Sequence, residues 1–467
     1  MSIDDPTVAP RSAGASRWAL LLQPAVLALT LGVLLRAWLI YKFPNNYSFD
    51  GWQRWAGRDH VLVQDWLPVV QMIIYVVAKL GGGVQVTRLV LATVTSIGAA
   101  SGVWAAESMG GKPAAWFFAA LSVFGPFLVW GSLMYQEGTF LAVLLCGMAL
   151  ALRAGVGLSA VRLKGRSWKT LLLADLLFGL LALIRYEGWP IVFCYLVWRR
   201  DLRATRALWG MVAWGVVKWS GYTGFYPSPV DYFEDWRNLT ERFDFPDYVE
   251  QVQSMGDLLL RSGGLIVLVL GLASAGMCWR QRGMPMVTVV LLGQLVATLL
   301  WIAGLETATQ RMTVMPVVLA ALPLSVGGAE LWRRFGRGRA VLSALCVGWV
   351  VFSGYAAASQ VNRERVRVRP EVVALGRMQA CVDCRWWIVP RAGLGARSRD
   401  DGCEILQGMT RMRHGEAFWC APWIADLSEE EQAARQSQTD GTVRWSKDGG
   451  GAGRYVVEFN AAVRQRQ

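Results

Sequence analysis

Residues 48–80 read SFDGWQRWAGRDHVLVQDWLPVVQMIIYVVAKL, and the reading of their last part, 67–80, decides the architecture of the whole chain. That part is apolar, but a helix needs about 20 such residues to cross the hydrocarbon core of a bilayer. It is therefore expected to be a helix lying at the membrane interface rather than a span. The polar, aromatic-rich stretch before it then lies on the same side as a loop, and the orientation of every later helix follows.

The composition agrees with a membrane setting. The 467 residues are 54% hydrophobic and only 17% charged, which does not suit a soluble globular protein of this length. Apolar runs of roughly 18–22 residues recur up to residue 358. Tryptophan, present 24 times, is favoured where rings sit between lipid and water. The formal charge of +13 does not call for a nucleic-acid partner; its placement reports membrane topology. The first run, Trp18 to Tyr41, is too long for the core of a signal peptide and no small-residue cleavage site follows it, so it is read as a retained helix after a tail at 1–17.

With Arg11 and Arg17 cytoplasmic, the first external loop covers 42–85. The expected spans are then Val86–Ala106, Ala114–Tyr135, Gly138–Leu152, Thr170–Ile184, Trp189–Trp198, Ala207–Phe225, Gly264–Trp279, Met284–Gly304, Met312–Leu331 and Ala340–Ser359. Together with the first run they make about eleven transmembrane helices. The turn MGGK joins the second and third spans, and a large external loop covers 226–262. The clusters around Arg162 to Lys169, Arg199 to Arg206, Arg280 with Arg282, and RRFGRGR all fall on the cytoplasmic side, as the positive-inside rule requires. Treating 67–80 as a crossing would turn these clusters outward.

Composition changes near Gln360. From 360 to 467 the chain is polar, with strand-like WWIVP and RYVVEF and helix-like PEVVALGRMQA and SEEEQAARQ, as expected of a small extracytoplasmic α/β domain. Cys146, Cys194, Cys278 and Cys346 fall in spans and read as packing residues. Cys381, Cys384, Cys403 and Cys420 fall in the external domain. Two disulfides are one reading of that even set; a structural zinc site starting from C-x-x-C is another.

Few residues can carry chemistry. The chain has no phosphate-binding glycine loop and only two histidines, His60 and His414, which argues against a histidine metal site. Asp50 follows the first span and can serve as a general base or a metal ligand. Around it, Trp52, Trp55, Arg54, Arg58, His60, Asp65 and Trp66 suit sugar and phosphate binding. Glu137, in YQEGT, stands where a span meets the outer surface; a helix dipole stabilises a charge there, so a capping role is the plainer reading. Arg185 and Glu187 form the apex of two short helices. They read either as a local pair holding the turn or as a phosphate-binding arginine with its partner. Arg311 stands at the mouth of a later span, where it snorkels or binds phosphate. Asp175 and Lys218 read as a structural pair or as interfacial charges. A divalent metal, Mg or Mn, held by Asp50 and Glu137 stays open.

This order of parts resembles the GT-C glycosyltransferases, multispanning enzymes that use polyprenyl-phosphate sugars. The layout is similar to the aminoarabinose-to-lipid-A transferases, the protein O-mannosyltransferases and the RgtA/B/C/D-like bacterial proteins, over roughly residues 18–358. Asp50 matches the family's catalytic acid in the first external loop. Trp66-Leu67-Pro68 occupies the place of a proline motif before the second span, Glu137 matches a second acid, Arg185 and Glu187 match an R-x-E-like turn, and Arg311 with Pro316 matches a late external arginine. Gly51 after Asp50 and Leu-Pro in place of His-Pro-Pro depart from the pattern. The resemblance implies a membrane-embedded glycosyltransferase of the bacterial inner membrane with its site and C-terminal domain in the periplasm. Its donor is a polyprenyl-phosphate sugar, its acceptor a glycan, lipid or protein hydroxyl, and transfer proceeds with inversion. Asp50 and Glu137 are the implied catalytic residues, and Arg185 and Arg311 hold the donor phosphate. Trp52, Arg54, His60, Asp65 and Glu187 bind substrate. A transporter of lipid-linked sugars and a non-catalytic membrane scaffold are the other two readings.

Overall fold

A computed structural model describes residues 23–42, 54–55, 58, 60–61, 67–156, 168–199, 201–219, 245–305, 310–336, 338–375, 417–419, 443–447 and 455–459. The described chain is mostly helical. Its helices are α1 (Pro24–Lys42), α2 (Pro68–Lys79), α3 (Val84–Leu121), α4 (Gly125–Trp130), α5 (Gln136–Arg153), α6 (Trp168–Leu181), α7 (Gly188–Arg199), α8 (Trp209–Trp219), α9 (Phe245–Arg261), α10 (Gly264–Met277), α11 (Met284–Leu305), α12 (Gln310–Arg334) and α13 (Arg339–Leu375). A 3-10 turn, Leu202–Leu208, precedes α8.

Among the described residues, five helices are long and apolar enough to cross a membrane: α1, α3, α5, α12 and residues 339–359 of α13. A sixth crossing is available if Tyr248–Arg261 and Gly264–Met277, bent by 91° at their junction, count as one. That bend sits at Gly263, whose φ of 74° favours a residue without a Cβ. This is an integral membrane protein. The 12-residue α2 is too short to cross, in keeping with the expectation for 67–80. The expected spans at 170–184, 189–198 and 207–225 correspond to α6, α7 and α8, of 14, 12 and 11 residues.

Two expected spans differ in form. The MGGK turn is a break inside a continuous helical stretch: Gly111 has φ 73° and ψ −171°, which folds α3 back on itself before Pro113. The expected span 114–135 is interrupted. Phe124 is extended (φ −103°, ψ 124°), and Pro126 opens the short α4, where its missing N–H is not needed. The chain then turns through 131–134 before α5 starts.

Breaking a helix inside a membrane protein strands carbonyl groups away from water. Two arginines supply donors at this break. The fully buried Arg36 of α1 donates to Phe127 O (3.2 Å) and Ser96 Oγ (3.1 Å). Arg88 of α3, equally buried, donates to Ser132 O (3.0 Å).

Helices α3, α5 and α12 form the centre, with α1 against α3 and α10 against α12. Lipid offers little hydrophobic drive for helix pairing, so close packing of small residues matters. Gly98 of α3 lies against the backbone of Ala142 in α5, and Gly271 of α10 against the backbone of Ala320 in α12. A methyl group at either position would collide with main chain.

Helix α13 continues through the composition break at 360 to Leu375. Beyond it, Ala417–Trp419, Val443–Lys447 and Tyr455–Phe459 form an antiparallel sheet with the last strand in the middle, pairing Val443 with Phe459 and Ala417 with Glu458. The last strand falls on RYVVEF. WWIVP, SEEEQAARQ and the four cysteines Cys381, Cys384, Cys403 and Cys420 lie outside the described residues.

Candidate functional site

Five elements meet at one end of the bundle. The first is the start of α5. Tyr135 is its extended N-cap and offers no side-chain cap, so the first-turn N–H groups and the helix dipole favour an acid there. Glu137 occupies that turn and is 3% exposed. The second element is the turn between α6 and α7. Helix α6 ends at Leu181, tight turns through 182–184 follow, and α7 restarts at Gly188 with Pro190 in its first turn. Arg185 projects from this turn.

Arg185 is the hub. One terminal nitrogen donates to Glu137 Oε1 (2.6 Å). The other donates to Glu187 Oε1 (2.6 Å), and Nε donates to both Glu187 oxygens (3.1 Å each). Such charge-assisted, bidentate contacts fix the guanidinium plane. Burial works against its charge, but Glu187 and Glu137 together outweigh that and hold its pKa above the ordinary value. The local pair read from the sequence is present, and it extends to a second helix 48 residues earlier in the chain.

The first external loop and α2 add the third and fourth elements. Arg54 is fully buried and donates to Gln136 Oε1 (3.2 Å). Gln71 of α2 donates to Arg54 O (3.0 Å) and His60 O (3.3 Å), fastening the loop to the interface helix. Helix α2 is tied in turn to the α6–α7 turn, since Val69 N–H donates to Leu183 O (3.4 Å). Leu67 and the buried Trp214 of α8 pack there against Tyr186 and Trp189. The fifth element is the start of α12, where the Arg311 guanidinium stands 5.2 Å over the Tyr135 ring. Arg54, Arg185 and Arg311 all act electrostatically on Glu137. Three guanidinium groups and two carboxylates thus share this end, leaving one positive charge in excess among the five.

Of the residues singled out from sequence, Arg54, Glu137, Arg185, Glu187 and Arg311 come together. His60 is exposed, and its described contact is through its carbonyl. Asp50, Trp52, Asp65 and Trp66 lie outside the described residues. Gln71, Tyr135 and Gln136 join the cluster without having been picked as site residues. Gln71 carried the one usable signal, a lone amide in an apolar helix. Glu137 Oε1 is taken by Arg185, and Arg311 and Arg54 also act on the carboxylate; Asp50, the other residue of the metal reading, lies outside the described residues.

Asp175 has its described partners elsewhere in the fold. It is buried and pairs with Arg199 (2.9 Å) and the Tyr195 hydroxyl (2.7 Å), while the side chain of Lys218 is outside the described set. Arg199 also reaches Asp201 (3.0 Å), whose pKa is lowered first by the Arg203 backbone N–H and then by Arg199. This network sits where α6, α7 and the 3-10 turn meet, away from the Glu137 cluster.

The helical bundle has a counterpart among solved structures. ArnT from Cupriavidus metallidurans bound to undecaprenyl phosphate aligns with a TM-score of 0.52 at 14% identity, over 94% of this chain and 98% of that one. The fold is GT-C-like. The apo state of the same protein aligns over 75% of this chain and 64% of that one, at 16% identity and a TM-score of 0.42. No protein-family model and no curated protein matches the chain. At such identities the GT-C-like likeness concerns the backbone; the chemistry has to come from the residues themselves.

Proposed function

We propose that this protein is a glycosyltransferase that moves a sugar from a polyprenyl-phosphate donor to an acceptor hydroxyl on a glycan, lipid or protein. The observation that carries the reading is the buried Glu137–Arg185–Glu187 constellation flanked by Arg54 and Arg311. It gathers positive charge at a helix end beside the short α2, the arrangement that favours an anion such as a lipid phosphate.

In this reading Asp50 takes the proton from the acceptor hydroxyl. The oxygen attacks the anomeric carbon with inversion, the bond from that carbon to the phosphate oxygen breaks, and polyprenyl phosphate departs with the electron pair. Arg311 and Arg185 stabilise the charge that develops on the phosphate. Glu137 and Glu187 act as positioning residues: they hold the Arg185 guanidinium in one plane and one place. Trp52, Arg54, His60 and Asp65 serve substrate binding.

The basic ends of α5, α7 and α12, at Arg153, Arg199, Arg333 and Arg334, support a cytoplasmic assignment for the opposite end. The site and the C-terminal region then face the periplasm of a bacterial inner membrane.

The test is release of polyprenyl phosphate from a polyprenyl-phosphate sugar by the full chain in vesicles. Asp50→Asn is expected to abolish release while donor binding and folding persist. Movement of intact donor between leaflets without cleavage would establish a transporter instead. A scaffold would show neither activity.

A further inference from the structure

At the end of the bundle far from Glu137, the fold-back of α3 at Gly111 leaves a groove of about 380 Å³ between α3, α12 and α13. Its separation from the site is the length of α12, which begins at the Arg311 cluster and ends at Arg334: on the order of 35 Å at 1.5 Å per residue. The walls are Trp116, Phe117, Trp332 and Cys346, almost wholly apolar, with Phe117 edge-on to Trp332 at 6.0 Å. Helix α13 is largely uncovered here, with Val341 and Leu345 exposed, so the groove opens toward lipid.

The rim is cationic. Lys112 lines the groove and forms no ion pair among the described residues. Arg339 stacks 5.7 Å from the Trp332 ring and donates to Trp332 O (3.1 Å), but faces no described carboxylate. Arg333 and Arg334 share a single acid, Glu330, and Arg333 also donates to the Gly110 carbonyl at the fold-back. One carboxylate therefore answers four cations around an apolar slot.

We propose that this groove is a binding site for an acidic membrane phospholipid. One acyl chain lies between Trp116 and Trp332, and the phosphate is held by Lys112 and Arg339. The charge selects the occupant. A zwitterionic lipid brings its own ammonium and gains little from the rim, whereas an acidic head group supplies the missing anion. Basic pockets between helices favour such head groups. The lipid then wedges α13 against the α3 fold-back and fixes the end of α12 without touching the chemistry.

The experiment is native mass spectrometry of the detergent-purified full chain titrated with phosphatidylglycerol or phosphatidylcholine. Phosphatidylglycerol is expected to be retained preferentially. The double variant Lys112→Gln, Arg339→Gln, at two exposed positions, should weaken it roughly 30-fold, about fivefold per basic side chain. Cys346→Trp, which fills the slot, should also lower retention while the melting temperature holds. Equal retention of phosphatidylcholine, or undiminished retention of phosphatidylglycerol by both variants, overturns the proposal. So does displacement of phosphatidylglycerol by equimolar undecaprenyl phosphate.

Discussion

Glu137→Gln is the most informative single change. It keeps the shape of the side chain and removes its charge. Wild-type Arg185 is about nine-tenths buried and divides its donors between Glu137 and Glu187. A hydrogen bond to a charged group is worth roughly 1.5–3 kcal/mol, and the amide oxygen can keep a weaker version of it. The expected cost is thus about 1–2 kcal/mol, because Glu187 still neutralises the guanidinium. Glu187→Gln alone should cost a similar amount. Together the two leave a buried arginine with no described carboxylate, the situation in which removing ionic partners costs about 3–5 kcal/mol. The pair should therefore exceed the sum of the singles. Thermal unfolding in detergent would register each single as a shift of a few degrees. Sugar transfer provides the second readout: Glu137→Gln should lower kcat at least tenfold while donor binding changes less, since the phosphate-facing guanidinium loses its fixed orientation rather than its charge. Additive stability losses, or full transfer activity in Glu137→Gln, would refute the role assigned to this triad.

Other changes probe separate parts of the structure. Arg311→Ala should weaken donor binding markedly, with little effect on melting because the residue is only half-buried; a binding titration decides it. Gly98→Val should destabilise by more than the usual 1–3 kcal/mol of overpacking, because its side chain would meet the Ala142 backbone rather than a movable side chain; loss of the folded peak in size-exclusion chromatography would register this. Asp175→Ala should cost about 1–3 kcal/mol, because Arg199 keeps Asp201 but loses its buried partner and the Tyr195 hydroxyl loses its acceptor, whereas Asp201→Ala, at a position about one-third exposed, should cost under about 1 kcal/mol; comparing the two melting curves tests the ranking. Membrane-impermeant labelling of single cysteines at Gln136 and Arg334 should place them on opposite sides of the bilayer, and labelling of both from one side would sink the proposed topology.

Much was legible without coordinates because a bilayer imposes simple length rules. Fourteen apolar residues fall short of a confident crossing, and reading them as a helix at the interface keeps the arginine clusters on one side; α2 is a 12-residue helix. The paired glycines at 110–111 announced a reversal that only a residue tolerating positive φ could make, and Gly111 makes it inside α3. The alternation in RYVVEF announced the central strand of the C-terminal sheet. Each of these signals lies within a few residues of the element it specifies.

What tertiary structure alone decided is who meets whom. Arg185 and Glu137 are separated by a whole helix and a loop, and nothing in either local sequence states that their helices pack so that a guanidinium reaches both carboxylates. The same holds for Arg36 and Arg88, charges inside apolar runs whose partners are the carbonyls exposed by the break after Leu121. It holds for Asp175 as well, whose partner lies 24 residues on, in α7. In a medium with no water to satisfy polar groups, the chain's composition decides that it must fold into helices. The packing then decides which buried charges neutralise one another, because each costs too much to leave alone and the partner within reach depends on helix faces rather than on sequence distance.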